Sequence, residues 1–226
     1  MDGMKRSVLI KKGAEANLYL ANWHGRKVVL KKRLPKKYRP RALDEQIRTY
    51  RTIHEPQLMH EAKKAGVPTP IVFLVDKAKA TIIMQYIHGK QVKQLLNEMS
   101  QNERQSLCFR IGESVGKLHK YGIVHGDLTT SNLIQNPTGR VFFLDFGLGD
   151  RTKELEARGV DLHLMKRALQ STHYAHAEEC FENAIRGYST ILGIETSENV
   201  LDKIRQIERR GRYVADRKEK GLTTVN

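Results

Sequence analysis

Two short segments carry the residue types of a reaction centre. His125-Gly126-Asp127-Leu128-Thr129-Thr130-Ser131-Asn132 has the form H-x-D-x-x-x-x-N, and after twelve intervening residues comes Asp145-Phe146-Gly147. A carboxylate beside an acceptor hydroxyl can orient it and take its proton, while an amide oxygen and a second carboxylate are hard ligands suited to Mg²⁺ on phosphates. Each segment alone is short enough to arise by accident, since Asp-Phe-Gly also suits a turn at a strand end. In this order, at the spacing of a small hairpin and after a helix-like stretch, they point together to phosphoryl transfer.

The pair resembles the catalytic and metal-binding loops of the protein kinase superfamily. That resemblance implies Asp127 as the base and Asn132 and Asp145 as Mg²⁺ ligands, and it asks for a lysine on a third strand to hold the α- and β-phosphates. Val28-Val29-Leu30-Lys31 matches the V-A-I-K pattern, so Lys31 is the expected lysine. Its carboxylate partner is Glu55 by preference, with Glu61 as the rival, because Pro56 suits only the first turn of a helix and would leave Glu55 near a frayed start. Gly13, Ala14, Glu15 and Ala16 are expected to cover the phosphates, with one glycine where the kinase pattern G-x-G-x-x-G has three. Met84, Gln85, Tyr86 and Ile87 would offer backbone groups to the adenine. Thr129 stands where ordinary protein kinases carry a lysine, no A-P-E follows, and the stretch from Asp145 to Asp161 is short for a regulated activation loop. A peptide-docking platform is therefore not expected. Asp161 would either buttress the catalytic loop from the next helix or simply sit near that helix's N-terminus.

These residues need a frame. Residues 7–12, 18–23 and 27–32 are β-prone, with a Gly13-Ala14-Glu15-Ala16 corner and an Asn22-Trp23-His24-Gly25 turn between them. Thr52 can cap a helix that ends at Gly66, with Pro68 and Pro70 as the stop. Residues 71–76 and 80–85 then predict a hairpin, and Tyr86-Ile87-His88-Gly89 a hinge. Beyond the hinge the periodicity turns helical. Glu103, Leu107, Ile111, Val115 and Leu118 predict a helix over 101–120 whose apolar stripe belongs to a core. Residues 133–134 and 141–144 flank the turn Asn136-Pro137-Thr138-Gly139 and make the hairpin that ends at Asp145. Three more helices are predicted over about 158–171, 174–192 and 197–212. The expected fold is α+β: a small protein-kinase-like bilobal fold, with a five-stranded N-lobe and one main helix over residues 1–87. A reduced, mostly helical C-lobe follows over 88–210, and then a polar, basic and mobile C-terminal tail over 211–226.

Composition limits the setting. The 226 residues hold 40 Lys and Arg against 25 Asp and Glu, a net charge of +15, which favours anionic partners. Residues 31–51 contribute nine positive charges against Asp44 and Glu45, and residues 203–220 contribute eight against three. Both segments are suited to a nucleic-acid partner held through phosphate contacts. Two cysteines, without CxxC or ligand spacing, indicate neither a disulfide framework nor a structural zinc site, and fit a reducing interior. The start MDGMKRSVLIKKG has too short an apolar run for a signal peptide, and nothing approaches the ~18 apolar residues of a membrane span. A soluble, cytoplasmic protein with no membrane partner is expected.

The finer pattern is similar to one family, the small kinase/ATPase subunits of KEOPS complexes, atypical serine/threonine protein kinases related to the RIO kinases, in an archaeal-type free-standing form. The resemblance rests on the Gly13-Ala14-Glu15-Ala16 loop, the run from Val29 through Lys31-Lys32-Arg33 to Tyr38-Arg39, and the stretch from Arg51-Thr52 through Glu55 to Gly66-Val67-Pro68-Thr69-Pro70. It rests also on HGDLTTSN, DFGLG, and Arg209-Arg210-Gly211-Arg212. It covers nearly the whole chain. It implies binding of ATP and Mg²⁺, weak serine/threonine phosphorylation including autophosphorylation, and ATP hydrolysis beside the ASKHA-fold subunit that makes threonylcarbamoyladenosine in tRNA, with the other KEOPS subunits as partners. Pro56 and Gln85 depart from the family's usual small and acidic residues. Two other readings compete. An aminoglycoside-type small-molecule phosphotransferase also uses HGD, but needs a larger helical lobe with an acidic pocket. A non-catalytic nucleotide-binding scaffold suits the sparse phosphate loop, but not Lys31, Asp127, Asn132 and Asp145 together.

Overall fold

The computed structural model describes residues 4–222, with side chains described over 7–210. The chain divides into two compact units. One comprises Met1–Val92 with Ser131–Asp150, the other Lys93–Thr130 with Arg151–Asn226.

The first unit is built on an antiparallel five-stranded sheet of β1 (Met4–Lys12), β2 (Ala16–Trp23), β3 (Arg26–Arg33), β4 (Val72–Asp76) and β5 (Thr81–Gln85), in the order β1-β2-β3-β5-β4. The five strands lie where alternation and turn residues put them. One face closes on Ala21, Val28, Leu30 and Ile83, with Tyr19, Trp23, Phe73 and Leu74 packed around them. Because side chains alternate along a strand, Lys31 and Arg33 of β3 point to the opposite face. The central position of β3, paired with β2 through Lys31 and Leu18 and with β5 through Lys31 and Ile82, holds that face in register.

Helix α1 departs from expectation. It runs Arg41–Lys64, starting eleven residues before Thr52, so Pro56 lies inside it and Thr52 is not its cap. The Thr52 hydroxyl instead donates to the Arg48 carbonyl at 2.6 Å. Proline in a helix interior removes one backbone hydrogen bond and costs about 3 kcal/mol. Burial of Leu58, Met59 and Ala62 on the helix's inner face offsets that cost. The strand β6 (Lys90–Gln91) and the short helix α2 (Val92–Leu95) have no sequence signal of their own. β6 extends the expected hairpin, β8 (Leu133–Gln135) with β9 (Val141–Phe143), into a three-stranded sheet, pairing Lys90 with Gln135 and Gln91 with Ile134. The Phe143 amide also donates to the Pro68 carbonyl at 2.8 Å, tying the hairpin to the end of α1's loop. This is why residues 131–150 group with the strands rather than with the helices.

The second unit is helical: α3 (Gln101–Lys120), the short strand β7 (Ile123–Val124), α4 (Leu155–Thr172), α5 (Ala177–Leu192) and α6 (Ile194–Leu222). Ser100 and Glu103 form a reciprocal capping box at the start of α3. Leu107, Ile111, Val115 and Leu118 of α3 are buried, as their spacing predicts, with Cys180, Ala184 and Tyr188 of α5. Both cysteines are buried free thiols. The last helix continues past residue 212 to Leu222, so most of the segment expected to be a tail extends α6. Gly211 alone costs a helix only about 1 kcal/mol, and the Arg, Lys and Glu around it are good helix formers. Residues 223–226 of the expected tail lie outside the described residues. No described helix is long and apolar enough to cross a membrane.

α3 and α5 approach so closely that two glycines are required. A Cβ on Gly112 would stand 1.8 Å from the Ala184 carbonyl oxygen, and one on Gly187 would stand 2.0 Å from the Phe109 carbonyl oxygen. Both clashes are with backbone, which cannot swing aside. Gly187→Ala is therefore expected to destabilise the chain by about 2–3 kcal/mol, the range of an overpacked core, measured by urea unfolding. An unchanged midpoint would show that the helices can separate without loss.

Candidate active site

The first unit brings four charged side chains into one cluster. Lys31 Nζ donates to Glu55 Oε1 at 2.8 Å and to Asp145 Oδ1 at 2.5 Å. The other oxygen of Glu55 is taken by Arg33, whose Nη2 lies 2.5 Å from Oε2 and also donates to the Arg51 carbonyl at 3.1 Å. Glu55, not Glu61, thus meets Lys31. With α1 beginning at Arg41, Glu55 sits mid-helix instead of in a frayed first turn, and Glu61 turns to Lys64. Two cations and two carboxylates give a cluster of no net charge. The side chains of Lys31, Arg33 and Glu55 are 5, 4 and 1% exposed, whereas that of Asp145 is 46% exposed. The buried charges fix the geometry and the open carboxylate faces solvent.

Asp145 is held under constraint. Its φ is 60°, a left-handed conformation that few residues other than glycine adopt. The Gly147 amide donates to its Oδ1 at 3.3 Å. Desolvation pushes its carboxyl pKa up. The Lys31 charge and hydrogen bond, the Gly147 amide and the Arg33 charge outweigh that and hold it below the ordinary 3.8. Asn132 closes the short 3₁₀ turn Thr130–Asn132, and its carbonyl accepts from the Leu144 amide at 2.8 Å. The hairpin thereby sets Asn132 beside the residue that precedes Asp145, so the two expected metal ligands share one small frame. An amide and an ionised, solvent-facing carboxylate are donors of the kind Mg²⁺ takes.

In the expected phosphate loop the Gly13 amide donates to the Ala16 carbonyl at 3.1 Å, and a Cβ on Gly13 would come within 2.6 Å of that oxygen. Its single glycine falls where the turn is tightest. Met84 ends on the face shared with Lys31. The Gln85 amide is committed to the Ile71 carbonyl at 2.8 Å, and its side-chain Oε1 accepts from the Ile71 amide at 3.2 Å. Tyr86 and Ile87 follow outside any strand or helix. The Gln85 side chain turns instead to a cavity of about 290 Å³ with Lys63, Pro68 and Phe142.

In the second unit, buried Asp161 of α4 accepts from the His125 amide at 2.6 Å and from the Gly126 amide at 2.8 Å. This is the buttress rather than an exposed helix-end carboxylate. The loop carrying Asp127 is therefore fixed through the two residues before it. Behind Asp161, His119 Nε2 donates to it at 3.2 Å, and His119 Nδ1 meets the Tyr188 hydroxyl at 2.9 Å. Burial would push the Asp161 pKa up, but the His119 hydrogen bond and charge, the His125 charge and the His125 amide hold it below 3.8. Burial pushes the Tyr188 hydroxyl pKa up, so it stays protonated. At the other end of the loop, Thr130 Oγ1 is 3.2 Å from His173 Nε2, and His173 Nδ1 is 2.8 Å from Asn97 Oδ1.

Sequence reasoning missed Arg33, His119, Tyr188 and His173. Lys31-x-Arg33 on a strand places two cations on one face, a signal that identifies Arg33 once Glu55 is known. For His119 and Tyr188, 69 positions apart, no local signal exists. The basic run 31–51 also differs from a simple surface patch. Lys31 and Arg33 are buried, and Lys36, Arg39, Arg48 and Arg51 bond within the unit, while Lys32, Lys37 and Arg41 are exposed.

Asp161→Asn is expected to cost about 3 kcal/mol at neutral pH, as for removal of a buried hydrogen-bonded charge. A depressed carboxyl pKa contributes stability that is full above the unfolded value and lost as pH falls through the folded one. The difference between wild type and variant should thus be constant above about pH 5 and shrink below 3.8. Urea unfolding across pH measures it, and a pH-independent difference would show that Asp161 acts by shape and not by charge.

With this geometry in hand, the comparisons with known proteins agree. Residues 6–189 match the family described as Protein kinase domain. KEOPS complex subunit Bud32 of Pyrococcus abyssi is 46% identical over 211 residues, covering 91% of this chain and 96% of that protein. The Probable bifunctional tRNA threonylcarbamoyladenosine biosynthesis protein of Methanothermobacter thermautotrophicus is 44% identical over 205 residues, and that of Methanocaldococcus jannaschii 38% over 215. The chain spans 36% and 38% of the length of those two relatives. Coverage this complete, by a kinase family and by a protein of the same size, means that the chain belongs to the protein kinase family and, within it, to the Bud32 family.

Proposed function

We propose that the chain is an ATP-dependent phosphoryl-transfer enzyme, an ATPase and atypical serine/threonine kinase able to phosphorylate itself. It would act in a cytoplasmic KEOPS assembly that supports threonylcarbamoyladenosine formation in tRNA. The observation that carries the chemistry is Lys31 shared between Glu55 at 2.8 Å and Asp145 at 2.5 Å. The names of the relatives, and identity over 96% of the length of the Pyrococcus abyssi one, support the assembly. Lys31, fixed by Glu55, holds the α- and β-phosphates of ATP. Gly13, Ala14, Glu15 and Ala16 cover them, and Met84, Gln85, Tyr86 and Ile87 flank the adenine, with the Gln85 amide already committed to Ile71. Asn132 and Asp145 hold Mg²⁺, which would neutralise charge developing on the phosphates. Asp127 orients the acceptor hydroxyl or water and takes its proton, on a loop that Asp161 keeps in place.

Three sequence features argue for dependence on a partner: Thr129 in place of the usual lysine, a short stretch after Asp145, and a one-glycine phosphate loop. A site with metal ligands and incomplete positioning loses the orientation contribution, which a docked protein can restore. The ASKHA-fold subunit is the proposed partner. Exposed Lys32, Lys37 and Arg41, with Arg209 on α6, are the proposed tRNA contacts, since their neighbours Lys36, Arg39 and Arg210 are engaged within the chain.

Asp145→Ala is expected to abolish ATP hydrolysis and autophosphorylation at any Mg²⁺ concentration, and Asp127→Asn to lower both by about 10²–10⁴-fold. Wild-type rates in both variants would overturn the site. Steady-state hydrolysis should also rise on adding the ASKHA-fold subunit and tRNA. Fast phosphorylation of generic peptides by the chain alone, with no response to that subunit, would instead mark an ordinary protein kinase. Neutralising Lys32, Lys37 and Arg41 should weaken tRNA binding for any tRNA sequence, and each of the three charges removed should reduce the salt slope by about 1. Salt-insensitive binding would contradict the proposed phosphate contacts.

A further inference from the structure

The glycine-poor phosphate loop is held from outside by three cations of the basic run. Lys36 Nζ donates to the Ala14 carbonyl. Arg39 Nη2 lies 3.3 Å from Glu15 Oε1, and Arg51 Nη1 lies 3.1 Å from Glu15 Oε2. The Leu34 amide adds a bond to the Glu15 carbonyl at 3.4 Å. Each cation is itself placed by something firmer. Arg39 also faces Asp44 Oδ1 at 3.9 Å, while Asp44, 3% exposed, accepts from the Lys36 amide at 3.2 Å and from Arg48 at 2.7 Å. Arg51 belongs to α1, and its carbonyl accepts from Arg33, the residue that clamps Glu55. A continuous path of hydrogen bonds thus leads from the loop through Arg51, Arg33 and Glu55 to Lys31.

We infer that Lys36, Arg39 and Arg51 form a clasp that positions the phosphate loop, with Glu15 as its handle. Resting on the ATP-binding reading above, this deepens it: the clasp does the work that additional glycines and their backbone N–H groups do elsewhere. Ala14, Glu15 and Ala16 carry Cβ atoms, so the loop has fewer conformations to lose than a glycine-rich one, and ties at its tip select among them. Glu15 would otherwise set a negative charge beside the phosphates of ATP. Two arginines on its two oxygens neutralise it. Exposed ion pairs are individually weak. Here two share one carboxylate and a third bond holds the adjoining carbonyl, so all act on the same few residues.

Two measurements on the full chain test this. The first is hydrogen exchange of the amides of residues 13–17 without nucleotide. The second is calorimetric affinity for a non-hydrolysable ATP analogue with Mg²⁺, accompanied by KM and kcat for ATP. Arg51→Met and Arg39→Met are expected to speed exchange in the loop and to raise the dissociation constant and KM roughly three- to tenfold with little change in kcat. Arg51→Lys should recover part of the loss. In a Glu15→Gln background Arg51→Met should have no further effect, because the arginine acts through that carboxylate. Unchanged exchange in both arginine variants overturns the clasp. So does faster exchange with unchanged affinity, or an equal loss in the Glu15→Gln background, which would reveal a general attraction by positive charge. If the wild type binds no ATP analogue, the proposed function falls, and exchange alone still decides whether the clasp holds the loop.

Discussion

Glu55 is a carboxylate 1% exposed in the middle of a helix, and such a charge is stable only if its partners are equally fixed. Lys31 and Arg33 supply them from one face of β3, one on each oxygen. Much of the first unit follows from this demand. β3 must be central, so that its register is set on both sides. The helix must start early enough to hold Glu55 in its interior, even though Pro56 then costs one of its hydrogen bonds. Asp145 must supply the second negative charge. With Arg33 present, Lys31 need not neutralise Glu55 alone and can face Asp145 at the same time.

Where the first unit is organised by ion pairs, the second uses one buried carboxylate against backbone. Asp161 accepts the consecutive amides of His125 and Gly126, on the proposed catalytic loop, and is backed by His119 and Tyr188. In a folded chain these amides cannot move without leaving a buried charge without its donors, so the loop's position is a consequence of α4 packing in its own unit. The close approach of α3 and α5, made possible by Gly112 and Gly187, brings Tyr188 to that position. The basic composition has a similarly structural side. In the basic run 31–51, Lys31 and Arg33 are turned to Glu55 and Lys36, Arg39 and Arg51 to the proposed phosphate loop, while Lys32, Lys37 and Arg41 stay exposed.

The strands, α3 and the kinase-family motifs were legible because each has a local cause: alternation, a 3.6-residue stripe with a capping box, and a fixed spacing of chemically distinctive residues. The KEOPS-type resemblance was legible for the same reason. The start of α1 was not, since Pro56 argues locally against a helix that burial of Leu58, Met59 and Ala62 stabilises. Nor was β6, whose two residues pair only because β8 lies alongside. Arg33 was half legible, as alternation puts it beside Lys31 but cannot say which carboxylate it meets. The extent of α6 is hidden when one glycine is given the weight of a helix stop. Which basic residues are internal and which exposed depends on bonds between residues 22 to 36 positions apart, as for Lys36 with Ala14 and Arg51 with Glu15, and no local pattern carries that information.

The claim on which the rest depends is that Arg33 serves the site through Glu55. A double-mutant cycle of Arg33→Met and Glu55→Gln, read as affinity for an ATP analogue, tests it most directly. Each single substitution should weaken binding, and the double variant should bind about as well as Glu55→Gln alone, a coupling of about 2 kcal/mol. Losses that add to within about 0.5 kcal/mol would contradict it, because Arg33 and Glu55 would then be acting separately.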